Sequence, residues 1–181
     1  MGDNTIRRAA RIGVIVAESG AEKQVLLKQF ADRRRDEGLR VAGVVELVAP
    51  DAHSDCGALD LLDLATGARI AISQNLGPGS TACNLDPGGV AMACAAAQRA
   101  IEAGADLVVL SKFGKLEAGN GGLRDAFAAA TAAETPALTT LKPAMRDEWA
   151  AFAGPLFDEL PPQLDALENW WRGLARKRSA A

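Results

Sequence analysis

Tyrosine is absent from the sequence, histidine occurs once, cysteine three times, and aromatic residues make up only 4% of 181 positions. A lone histidine, His53, excludes a metal centre built on several imidazoles. The cysteines, Cys56, Cys83 and Cys94, form no CxxC pair, and an odd number argues against a disulfide framework. A reducing cytoplasm is the expected compartment. No apolar run reaches the roughly 20 residues that span a bilayer. Two arginines precede the apolar run Ile12 to Ala17, but that run is too short for the core of an export signal and meets Glu18 at once. Membrane insertion is therefore not expected. The net charge of −3 gives no electrostatic case for nucleic-acid binding.

What is present is aliphatic and small. Hydrophobic residues make up 49%, much of it alanine, which suits the layered core of an α/β fold. The length predicts one α/β domain over 11–177, with flexible ends at 1–10 and 178–181. Apolar runs at Ile12 to Ala17, Val41 to Val48, Asp106 to Ser111 and in PALTTL read as strands, and a hairpin is expected from Leu59 to Leu64 and Arg69 to Ser73. Helices alternate with them: one after Gly20, one over Gly88 to Ala103 capped by Asp86-Pro87, one over Leu123 to Ala133, and two near Met145 to Phe152 and Gln163 to Arg176. This alternation predicts a mainly parallel sheet flanked by helices in three layers, with a small antiparallel hairpin. Trp149, Trp170 and Trp171 are expected to pack the tail onto the sheet. The basic clusters at Arg33 to Arg35 and at Arg172 to Arg178 read as solvated faces.

The segment IGVIVAESGAEKQVLLKQF has the layout of a strand, an anion cradle and a helix. Set against G-x-x-x-x-G-K-[ST], it keeps only the lysine, Lys23. Ala17 and Glu22 stand at the two glycines and Gln24 at the hydroxyl residue that ordinarily ligates Mg²⁺. Ser19 and Gly20 can still supply part of a backbone nest. In such sheets ligands gather beyond the carboxyl ends of the strands. Two other loops meet that criterion, carrying Ser73, Ser80 and Thr81 in one and Ser111, Lys112, Lys115 and Arg124 in the other.

The run DLVVLSKFGKLE is similar to the second motif of THEP1-type nucleoside triphosphatases, with Ser111 and Lys112 where that motif has an acidic pair. More closely, the chain resembles the bacterial DUF2478 family of P-loop-like proteins. The stretches that carry the resemblance are ESGAEKQVLLKQFADRRRDEGLRVAGVVE, ISQNLGPGSTACNLDPGG and DLVVLSKFGKLEAGNGGLRDAF. The resemblance implies a degenerate P-loop fold and an association with molybdenum use.

Phosphoryl transfer depends on a metal, a backbone cradle and a positioned water, and the usual metal-holding groups are missing. The expected function is non-hydrolytic binding of a small anionic ligand at Lys23 and its surroundings. A nucleotide, phosphate and molybdate are the candidates, and Mg²⁺ is not expected to be well held. Two alternatives remain open. One is a nucleoside triphosphatase or phosphotransferase with atypical metal ligands, for which Glu117 is the candidate catalytic acid and otherwise a loop anchor. The other is an oligomeric scaffold built on the alanine-rich helix or the tryptophan-bearing tail. His53, Cys56 and Cys83 are candidate metal ligands whose spacing matches no strong signature, and Cys83 is also a candidate nucleophile.

Overall fold

The computed structural model describes residues 12–18, 20–47, 59–74 and 84–179. The chain enters through β1 (Ile12–Val16), passes through α1 (Gly20–Asp36) and returns in β2 (Val41–Glu46). The hairpin β3 (Asp60–Asp63) and β4 (Arg69–Ala71) follows, and then a short pair, β5 (Ser73–Gln74) with β6 (Asn84–Leu85). Next come α2 (Pro87–Glu102), β7 (Leu107–Leu110), the single turn α3 (Lys115–Ala118), α4 (Arg124–Ala132) and β8 (Ala137–Leu141). A 3₁₀ turn (Pro143–Met145), α5 (Arg146–Ala153), β9 (Phe157–Leu160) and α6 (Leu164–Ser179) complete the described chain.

The main sheet has seven strands in the order β4-β3-β2-β7-β8-β1-β9. From β2 to β9 all neighbours are parallel, and β3 and β4 extend the β2 edge in antiparallel fashion, as the sequence predicts. The central runs IGVIV, LVVL and ALTTL are buried because helices cover both faces. Ile15, Val109 and Leu138 pack with α1 and α6 on one face. On the other, Val14, Val108 and Ala137 pack with α2, α4 and α5. β2 and β7 approach closely at Gly43, which has φ +110° and where a Cβ would lie 1.9 Å from the Val109 carbonyl oxygen.

The tryptophans pack the tail onto the sheet as expected, but on its two opposite faces. Trp149 is fully buried on the α2 and α4 face among Phe113, Phe127, Phe152 and Phe157, whose rings lie 5.1–5.9 Å from its own. Trp170 and Trp171 pack on the opposite face, with Trp171 edge-on to Phe30. The helices bearing them dock on different sides of the sheet, so an intervening layer of strands separates the indoles.

Three further expectations are corrected. Arg34 is buried at 4% exposure, not solvated: Nη2 donates to both carboxylate oxygens of Glu168 at 3.0 and 2.9 Å, and the guanidinium lies over Phe30. The FDEL segment, not anticipated as a strand, is the parallel edge strand β9. Helix α6 runs through Ser179, three residues past the expected helix end at Arg176. Asp86, in contrast, caps α2 as expected, its Oδ1 accepting from the Gly88 amide at 2.9 Å ahead of Pro87.

Candidate functional site

Helix α1 buries Lys23, Gln24, Leu27, Phe30, Ala31 and Arg34, the stripe that a 3.6-residue period places on one face. Lys23 and Gln24 are the first members of the stripe, so they are carried under the helix onto the carboxyl edge of the sheet. That edge is also where the strand order reverses. From β1 the chain crosses to β2 on one side, whereas from β8 it crosses to β9 on the other, the reversal beside which open α/β sheets take their ligands.

Lys23 is 3% exposed. Its ammonium donates to the Ala17 carbonyl after β1 and, at 3.2 Å, to the Leu141 carbonyl at the end of β8. An ammonium has three N–H groups, so among the described residues one remains beyond these two bonds. Burial pushes the pKa of Lys23 down, and the positive charges of Lys142 and Lys112 push the same way against Glu18 and Glu46.

Gln24 occupies the hydroxyl position of the ancestral pattern, and its amide is engaged at both ends. Nε2 donates to the Ser111 carbonyl after β7 at 2.7 Å, and Oε1 accepts from the Glu46 amide in β2 at 2.9 Å. The side chain therefore ties two adjacent strand ends together. Ser111 is buried, and its carbonyl also accepts from Thr140 Oγ1 at 2.8 Å. Lys112 follows it, half exposed, with Nζ 2.5 Å from Glu46 Oε1.

An Mg²⁺ ion in a strand–cradle–helix site is held by the hydroxyl after the lysine and by an acid at the end of the neighbouring strand. The residues here do not fit that ion. An engaged amide replaces the hydroxyl, and Ser111-Lys112 stands where the acid would be. Among the described residues, no three or more His, Cys, Asp or Glu side chains gather into a group able to hold a metal.

Glu117, the candidate acid, is 5% exposed and held by backbone. Oε2 accepts from the Gly114 amide and Oε1 from the Leu123 amide, both at 2.9 Å. A Cβ at Gly122 would come within 2.1 Å of Oε1, so the loop closes tightly around the carboxylate. This geometry is that of the loop anchor. Arg124 donates to the Glu117 carbonyl at 3.2 Å and lies 4.9 Å over the Phe152 ring, which engages its guanidinium on the α5 side of the loop. Lys115 is exposed on α3 and Gly20 opens α1 at the surface. Ser73 accepts a hydrogen bond at Oγ from the Leu59 amide at 3.0 Å, which ties it to the base of the hairpin.

The candidates Ser19, Ser80, Thr81, His53, Cys56 and Cys83 lie outside the described residues. Of the remaining candidates, the electrostatics of Lys23 groups it with Lys112. Sequence reasoning missed Lys142, Glu46 and Glu18, which act on the same ammonium. The signal for Lys142 was available: it follows the apolar strand PALTTL directly, much as Lys112 follows LVVL.

Among the described residues no helix is long and apolar enough to cross a membrane. The chain is similar to the molybdenum import ATP-binding protein ModC 2 of Bradyrhizobium diazoefficiens, with 36% identity over 162 residues. That match takes in 90% of this chain but only 18% of the relative's length. The fold is similar to the crystal structure of THEP1 from the hyperthermophile Aquifex aeolicus, with a TM-score of 0.59 at 14% identity, covering 83% of this chain and 90% of that one. The likeness establishes a shared P-loop-like architecture. The model of the family described as "Protein of unknown function (DUF2478)" matches residues 12–170, and the chain belongs to that family.

Proposed function

We propose that this protein is a non-hydrolytic, P-loop-like binder of a phosphate-containing ligand or a related oxyanion at the carboxyl edge of its sheet. The observation that carries this reading is the buried Lys23 at the head of α1, with Lys112 and Lys142 in electrostatic reach of its ammonium. The positive end of the helix dipole adds to them. The description of the ModC 2 relative as an ATP-binding protein of molybdenum import supports a nucleotide or molybdate as the ligand and a role in molybdenum handling.

Against hydrolysis stand the engaged amide of Gln24 and the two amide bonds that hold Glu117 as a clamp. The test is thermal stabilisation by ATP, GTP, phosphate, molybdate and tungstate, together with phosphate release from both nucleotides in Mg²⁺. A ligand at 100 times its Kd stabilises the native state by about 2.7 kcal/mol. Stabilisation without release is expected. Mg²⁺-dependent release that disappears in Lys23→Ala would reject the reading in favour of a triphosphatase.

A further inference from the structure

Positive charge and hydrogen-bond geometry at this edge point beyond the replacement of the metal-holding hydroxyl and acid, to what stands in their stead. In phosphate-binding loops that work with a divalent cation, the ion neutralises phosphate oxygens and is itself held by the hydroxyl after the lysine and by an acid on the neighbouring strand. Here the corresponding strand end carries an ammonium. Lys112 leaves β7 immediately after Ser111, and its Nζ is moored 2.5 Å from Glu46 Oε1 on the adjacent β2. Glu46 is in turn fixed through its own amide by Gln24 Oε1 at 2.9 Å. The other end of the same glutamine holds the carbonyl of Ser111 at 2.7 Å, directly before Lys112. One buried side chain thus sets both partners of the ion pair.

The Glu46 side chain is 15% exposed, with its Oε1 buried, and the Lys112 side chain is 50% exposed. The lysine therefore reaches solvent from a fixed base, which is what a group that meets an incoming anion requires. Its charge is also felt at Lys23, so the two ammonium groups serve the same edge.

We infer that this edge takes its anion free of divalent metal, with the Lys112 ammonium, moored by Glu46 and Gln24, supplying the charge compensation that Mg²⁺ supplies in hydrolytic sites. The inference rests on the anion-binding reading above and narrows the ligand class to an uncomplexed tetrahedral oxyanion or the uncomplexed phosphate end of a nucleotide. A Mg²⁺-bound nucleotide is the poorer ligand, because the metal cancels charge that the lysines would otherwise meet and itself repels them.

Titration of the full chain with ATP, ADP, orthophosphate and molybdate, in EDTA and again in excess Mg²⁺, tests this. The expected result is binding of at least one probe in EDTA, unchanged or weakened by Mg²⁺. Lys112→Ala should weaken that binding by tenfold or more. Gln24→Thr combined with Lys112→Asp, which rebuilds the hydroxyl and the acid, should shift nucleotide binding toward dependence on Mg²⁺. A wild-type affinity that falls tenfold on chelation would overturn the inference and leave the anion-binding reading standing. So would Lys112→Ala binding within twofold of wild type in EDTA. Failure of every probe in both conditions would overturn both. Lys112→Met, which keeps most of the apolar stem, distinguishes loss of charge from loss of fold, since it should melt like wild type and still bind weakly.

Discussion

Replacing Gln24 by leucine tests the central strut of this site without leaving a large void. The amide group makes two bonds that leucine cannot replace, to the Glu46 amide at 2.9 Å and the Ser111 carbonyl at 2.7 Å. Gln24 is 3% exposed, so water has little access to substitute for it. An orphaned buried amide costs about 1 to 3 kcal/mol. Ser111 keeps one partner, Thr140 Oγ1 at 2.8 Å, so its loss is smaller, about 0.5 to 1.5 kcal/mol. The variant should therefore be destabilised by about 2 to 4 kcal/mol. At roughly 2 to 4 °C per kcal/mol for a domain of this size, Tm should fall by about 5 to 15 °C. Chemical denaturation provides the check, with a lower midpoint and an unchanged m-value. Gln29→Ala, at an exposed position on the same helix, should stay within about 0.5 kcal/mol of wild type. A Tm fall under about 2 °C in Gln24→Leu would refute the strut.

Two further outcomes are expected. Because burial and Lys142 depress the pKa of Lys23, the native state holds that proton less tightly than the unfolded chain. The cost of the buried charge is then fully present below the folded pKa and is relieved as pH rises toward the ordinary value of 10.5. Denaturation across alkaline pH should show wild type gaining stability relative to Lys23→Met in that window. A parallel or converging trend in the opposite sense would contradict the burial. Glu117→Gln should lower stability by about 1 to 3 kcal/mol, through weakened acceptance from the Gly114 and Leu123 amides, while leaving anion affinity within about twofold. A tenfold change in affinity with unchanged stability would instead assign Glu117 to the ligand.

The parallel core was legible because continuous apolar runs such as IGVIV and LVVL carry burial on both faces in their composition. β9 was not legible: FDEL is a half-exposed edge strand, flanked by Gly154-Pro155 and Pro161-Pro162, and its polarity matches a loop as well as a sheet margin. The single turn α3 was hidden in a glycine-rich stretch, where a carboxylate clamp rather than helix propensity orders the chain. Arg34 shows the limit for charge. Three consecutive arginines look alike in sequence, but only the middle one falls on the buried stripe of α1, where it meets Glu168, 134 residues away; the exposed Arg33 reaches the same carboxylate at 3.5 Å.

The sequence alone determined the strand–helix alternation, the cap at Asp86, the retained Lys23 and the loss of the hydroxyl and acid that would hold a metal. These follow from local chemistry and spacing, which the chain displays without folding. Tertiary structure decided what took their place. The partners of Gln24 and Lys23 are backbone groups at the ends of β1, β2, β7 and β8, and Lys112 and Glu46 pair with one another across two strands. Backbone groups are identical at every position of a sequence, so only the fold could select which of them meet these side chains.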